Sequence, residues 1–98
     1  MYKRQAQRAR GMPSSSTSTA EYNVAFGTTA LDAVTAGDKN IAVGYSALTE
    51  NTTGSENTAN GYNAMASNTT GAYNTAIGMS VLMDNTTADF NTGLGYNA

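Results

Sequence analysis

The chain has 98 residues, 40% of them hydrophobic and only 12% charged, with no Cys, His or Trp. The absence of Cys excludes disulfides, and an apolar share drawn largely from Ala excludes a conventional globule packed with large side chains. From residue 11 onward a single Lys stands against seven acids, and an acidic body of that kind repels phosphate backbones, which argues against nucleic acid as a partner.

The first element in chain order is residues 1–20. Lys3, Arg4, Arg8 and Arg10 hold four of the five basic residues, and Pro13 is followed by a Ser/Thr run. This composition predicts a flexible, disordered tail. Met1–Gln5, MYKRQ, matches the translation of a transposon-end sequencing adapter and is set aside from fold reasoning. No apolar stretch follows the basic start, so no signal peptide is expected. No run approaches the ~20 apolar residues of a membrane helix, so no membrane contact is expected in this segment.

Residues 21–98 repeat. Asn23, Asn40, Asn57, Asn74 and Asn91 are 17 residues apart, and Gly27, Gly44, Gly61, Gly78 and Gly95 keep the same step. The cores read NVAFG, NIAVG, NTANG, NTAIG and NTGLG. A second block follows as TTAL, YSAL, YNAM and MSVL, and a third as NTTG at 51–54 and 68–71 and NTTA at 85–88. A fixed period of this length without insertion marks a solenoid, and alternation within NIAVG marks a strand. The expected fold is therefore all-β: a parallel β-roll or β-solenoid of about four and a half 17-residue coils, each with two short strands and two turns. One coil cannot stand alone, so its stability must come from neighbouring coils.

Within each unit the fourth position, Phe26, Val43, Asn60, Ile77 and Leu94, is expected to point inward. Leu31, Leu48, Met65 and Leu82 form a second inward file on the second strand. The uniformly small third position, Ala25, Ala42, Ala59, Ala76 and Gly93, suggests close approach by another surface. Asn60 is then a buried amide among apolar neighbours. It is read as a polar ring across chains that fixes register, as a locally loose coil, or as a residue turned outward. The Asn at the head of each unit forms either a rung-to-rung ladder or five independent turns.

The units NIAVGYSALTENTTGSE, NTANGYNAMASNTTGAY and NTAIGMSVLMDNTTADF resemble the YadA-like head repeats of trimeric autotransporter adhesins, and similar repeats occur in bacteriophage tail fibres. The resemblance covers residues 21–98. It implies a left-handed roll, a homotrimer, the small third-position residues near the trimer contact, and an extracellular place on a bacterial outer membrane or a virion fibre. The implied function is attachment to a host cell, a surface or a matrix ligand. The repeat here is longer than in the best-known heads, which makes the NTTG segment an enlarged turn.

No enzyme, cofactor or metal site is expected. Nucleophilic catalysis needs a base beside the nucleophile, and the repeats contain no His and one Lys. Asp32, Asp38, Glu50, Glu56, Asp84 and Asp89 fall on different register positions. Asn51, Asn68 and Asn85 satisfy N-x-T, which carries weight only in a eukaryotic secretory setting. Tyr45, Tyr62 and Tyr96 share the sixth position, either as an exposed stripe for a ligand or as a stacking ladder. An ice-binding solenoid is a rival reading, from the Thr52/Thr69/Thr86 and Thr53/Thr70/Thr87 files. Ala98 aligns with Ala30, Ala47 and Ala64, so the sequence is expected to break off within a coil of a longer product.

Overall fold

The computed structural model of the chain describes residues 19–98. The expected tail and adapter segment, apart from Thr19 and Ala20, lie outside the described residues. Five strands follow one another: β1 (Val24–Phe26), β2 (Ile41–Val43), β3 (Thr58–Asn60), β4 (Thr75–Ile77) and β5 (Thr92–Leu94). They form one parallel sheet in the order β1-β2-β3-β4-β5. Each residue pairs with its counterpart 17 positions on, as in Val24↔Ile41 and Ala42↔Ala59. The chain is a parallel β-solenoid, and among the described residues it contains no helix.

The coils are joined from both sides. Val24 N–H donates upward to Asn40 O at 2.9 Å, and Gly44 N–H donates back to Phe26 O at 2.7 Å. This is the evenly spaced ladder of parallel strands. Gly at the fifth position turns the chain at φ between 120 and 146°. A Cβ at Gly44 would sit 2.6 Å from Gly61 O in the next coil, so only Gly fits this corner.

The strand phase differs from the sequence expectation. Asn23, Asn40, Asn57 and Asn74 and Ala25, Ala42, Ala59 and Ala76 are all 0% exposed. The first and third positions therefore face inward, and by alternation the second and fourth face outward. Phe26 is 56% and Ile77 42% exposed, and Asn60 is exposed between them. The inside is thin. A Cβ added at Gly93 would lie 2.5 Å from Val81 Cγ1 and 3.1 Å from Leu82 Cγ, so the third position abuts the eighth and ninth across the interior. Ala fits there and Phe or Ile does not. The small third-position residues are thus core rather than surface, and Asn60 is turned outward, the third of its three readings.

The second strand is also absent. Residues of the TTAL block form turns. Ala30 and Leu31 are neighbours in sequence, yet both are 0% exposed, which a strand's alternation forbids. The chain achieves this by a left-handed backbone at the ninth position: Leu31, Leu48, Met65 and Leu82 have φ of 53, 52, 52 and 51°. The seventh position does the same, with Ser46 at 58°. Each such non-Gly residue costs roughly 1–2 kcal/mol. Bonds to the next coil offset it, including Leu31 N–H to Ala47 O at 2.9 Å and Leu48 N–H to Ala64 O at 3.0 Å. The ninth-position file is inward as expected: Leu31, Leu48 and Met65 are fully buried, and Leu82 packs against the cluster.

The sixteenth position offers a test of this bonding scheme. Asp38 Oδ1 accepts from Glu21 N–H at 2.8 Å, Ser55 Oγ from Asp38 N–H at 3.0 Å, and Asp89 Oδ1 from Ala72 N–H at 2.8 Å. Ala72 has no side-chain acceptor to offer Ser55 N–H, which has no partner among the described residues. Ala72→Ser is expected to raise stability by about 1 kcal/mol, the net worth of one such bond. Denaturant unfolding checks it, and a loss of stability would contradict the scheme.

Candidate interaction surface

The outward sheet face is the most unusual surface of the molecule. Its two rows are Val24, Ile41, Thr58, Thr75 and Thr92 at the second position and Phe26, Val43, Asn60, Ile77 and Leu94 at the fourth. None of these ten residues is charged. Val24, Phe26, Ile41, Ile77 and Leu94 are exposed large hydrophobics, with Leu94 at 73%. Parallel sheets are normally covered on both faces; here the coil interior covers one, and among the described residues nothing covers the other. Exposed contiguous apolar surface of this kind marks interaction sites.

Aromatic residues flank the strands along the chain. Tyr45 and Tyr62, just after the sheet corner, stack with ring centroids 5.3 Å apart and planes at 13°. Met79 and Tyr96 continue that file, both exposed. The sixth position is therefore a stacking ladder over Tyr45 and Tyr62. On the other side, immediately before the head Asn, Tyr73 and Phe90 stack at 5.0 Å and 4°. Glu56 accepts a hydrogen bond from the Tyr73 hydroxyl and its charge lies beside it, which raises that phenol above its ordinary 10; slight desolvation and Asp89 act in the same direction. The raised folded-state value means that any stability from this contact is complete below the unfolded value of about 10 and is lost as pH rises through the folded one.

The repeated Asn and Gly residues singled out in the sequence occupy the interior and the corners, not this face. The head Asn residues form a ladder. Asn40 N–H donates to Asn23 Oδ1 at 2.8 Å, Asn57 N–H to Asn40 Oδ1 at 3.0 Å, Asn74 N–H to Asn57 Oδ1 at 2.9 Å and Asn91 N–H to Asn74 Oδ1 at 2.8 Å. Its rungs are mostly backbone N–H to amide oxygen; Asn57 Nδ2 to Asn40 Oδ1 at 3.2 Å is an amide-to-amide rung. The amide nitrogens of Asn23, Asn40, Asn57 and Asn74 also reach a turn carbonyl, as Asn40 Nδ2 does to Gly54 O at 2.8 Å. Gly27, Gly44, Gly61, Gly78 and Gly95 form the corner file that ends each strand.

A second ladder was not foreseen. Asn68 Nδ2 donates to Asn51 Oδ1 at 2.8 Å and Asn85 Nδ2 to Asn68 Oδ1 at 2.9 Å. Asn91 Nδ2 joins the two ladders through Asn85 Oδ1 at 3.2 Å. The signal was present as a 17-residue Asn column, hidden by its reading as turn chemistry. Asn51 and Asn68 are fully buried, so their N-x-T context presents no accessible amide in the folded chain.

The thirteenth-position Thr file is engaged inside the stack. Thr52 Oγ1 donates to Thr69 O at 3.3 Å and Thr69 Oγ1 to Thr86 O at 3.2 Å. The neighbouring Thr53, Thr70 and Thr87 are exposed. Among the described residues no three acidic, His or Cys side chains cluster as metal ligands. Comparisons of the chain with protein-family models, curated proteins and solved structures give no match.

Proposed function

We propose that the chain is a structural and adhesive segment of a trimeric surface fibre, whose copies pack side by side through the outward sheet face. The observation that carries this reading is the sheet itself: ten outward positions without a charge, half of them large exposed hydrophobics. Such a face suits a copy of the same chain, because no like charges oppose each other when it meets itself. The resemblance to trimeric adhesin heads supplies the stoichiometry and an extracellular setting, on a bacterial outer membrane or a virion. The fibre's task is attachment to a host cell, a surface or a matrix ligand. Host recognition by a phage tail fibre is the alternative, and flanking sequence separates the two: a membrane-anchor barrel belongs to an adhesin, a self-cleaving chaperone domain to a phage fibre.

Two measurements on the full chain test the proposal. Sedimentation velocity is expected to give a species of three-chain mass, and Ile41→Asp is expected to give a folded species of one-chain mass. Beads coated with the chain are expected to adhere to cells or matrix where uncoated beads do not. A wild-type chain that stays at one-chain mass at all concentrations ends the packing proposal, and coated beads that never adhere end the adhesive one. Thermal hysteresis in the same sample would favour ice binding through the exposed Thr53, Thr70 and Thr87 file.

A further inference from the structure

The sixth position holds two phenols against each other. Tyr45 and Tyr62 lie in adjacent coils, with ring centroids 5.3 Å apart and planes at 13°. Both rings are about half exposed, at 50% and 49%. The ladder fixes their backbones in register. Asn63 N–H donates to Tyr45 O at 2.9 Å, Ser80 N–H to Tyr62 O at 2.8 Å, and Gly61 N–H, just before Tyr62, to Val43 O at 2.7 Å.

This pair occurs once. In residues 21–98 no other two Tyr occupy one position in adjacent coils. Thr28 precedes the pair along its file and Met79 follows it, so Tyr96 lies two coils beyond Tyr62. The second stack, Tyr73 on Phe90, contains a single phenol. The chain also has neither Cys nor Trp, the other side chains that readily give up one electron, and no disulfide can join its coils.

We propose that Tyr45 and Tyr62 are a site of oxidative coupling, where a one-electron oxidant of the haem peroxidase and hydrogen peroxide class links them into a dityrosine that staples the second coil to the third. Each phenol gives up one electron and its hydroxyl proton. The two phenoxyl radicals form a C–C bond between one Cε carbon of each ring. The hydrogens on those carbons then move to the oxygens and restore both hydroxyls. The pair loses two electrons and two protons in all, which reduce one hydrogen peroxide to two waters. Near-parallel rings held side by side make the coupling an encounter within one molecule instead of a collision between two. Half exposure admits the oxidant and leaves the rings free to tilt into bonding distance. None of this depends on the reading of the sheet as a self-association surface.

The test treats the dilute full chain with a haem peroxidase and hydrogen peroxide, beside Tyr45→Phe, Tyr62→Phe and Tyr73→Phe. Phe keeps the stacked ring, so far-UV circular dichroism is expected to show all four proteins folded. Wild type and Tyr73→Phe are expected to gain the blue fluorescence of a biphenol and to run at one-chain size on a denaturing gel. After cleavage at Glu50 and Glu56, the piece carrying Tyr45 is expected to stay joined to the piece carrying Tyr62, two hydrogens lighter than their sum. The link closes a loop between residues 17 apart in the unfolded chain, so the treated wild type is expected to melt about 10 °C higher. Coupling in Tyr45→Phe or Tyr62→Phe at the wild-type yield would overturn the pair as the site. So would a wild type that forms links only between chains, or none. A linked chain with an unchanged Tm would overturn the staple.

Discussion

Asn57→Ala is expected to lower stability by about 3 kcal/mol, roughly 15 °C in Tm for a body of this size. Asn57 is fully buried. Its Oδ1 accepts from Asn74 N–H at 2.9 Å, and its Nδ2 donates to Gly71 O at 2.8 Å. After truncation, Gly71 O keeps a donor in Asn68 Nδ2 at 3.0 Å, and Asn40 Oδ1 keeps Asn57 N–H. Asn74 N–H keeps nothing. The loss is therefore one orphaned buried donor, at about 1–3 kcal/mol, plus the cavity left by the amide. Asn57→Asp separates the two halves of the amide. It retains an acceptor for Asn74 but turns an oxygen on Gly71 O. Burial and that carbonyl disfavour the charged form, so the introduced carboxyl has a folded-state pKa above the unfolded value of about 3.9. The proton then binds the folded state better, and the deficit shrinks as pH falls through the raised value. Thr53→Ala, exposed and outside the ladders, is expected within about 0.5 kcal/mol of wild type. Equal losses for Asn57→Ala and Thr53→Ala in denaturant unfolding would remove the ladder from any role in stability.

The second large effect is a coupled pair. The eighth position is Ala30, Ala47 and Ala64 in the first three coils but Val81 in the fourth, and the third position is Ala until Gly93. The two departures touch: a Cβ at Gly93 would lie 2.5 Å from Val81 Cγ1. Gly93→Ala is expected to overpack the interior at a cost of about 1–3 kcal/mol. Val81→Ala leaves a cavity beside the missing Cβ, at a cost of about 2 kcal/mol. The double variant restores the pairing used by the other coils and is expected near wild type, with a coupling of about 2 kcal/mol between the sites. Unfolding of the four proteins measures that coupling, and simply additive losses would mean that the two sites do not meet.

The periodic features were legible in the sequence. A column repeated every 17 residues places its members rung over rung, so the parallel stack and the Leu31/Leu48/Met65/Leu82 core file could be read, while the head Asn column stayed open between a ladder and five independent turns. The phase could not, because this interior inverts the usual rule. Asn is inside, where turn carbonyls and backbone N–H groups satisfy it, while Ile41 and Phe26 are outside. Apolar-in, polar-out reasoning then chose the wrong face for the fourth position and left Asn60 as the one residue that did not fit it. The polar substitutions along both rows, Thr58, Thr75 and Thr92 at the second position and Asn60 at the fourth, were the available sign that these rows face outward. The absent second strand has a different cause. Leu is among the last residues expected at positive φ, and only the bonds to adjacent coils impose it at Leu31 and Leu48. No local propensity carries that information.

Everything proposed for the surface depends on which residues of a strand face out, and β2 tests this directly. Ala42→Asp and Val43→Asp differ by one residue and carry the same charge. Far-UV circular dichroism during thermal unfolding compares them. The expected result is that Val43→Asp keeps a folded β spectrum and a cooperative transition, while Ala42→Asp, which buries an unpaired carboxylate, is unfolded before heating begins. A folded Ala42→Asp beside an unfolded Val43→Asp would reverse the strand phase and take the interaction surface with it.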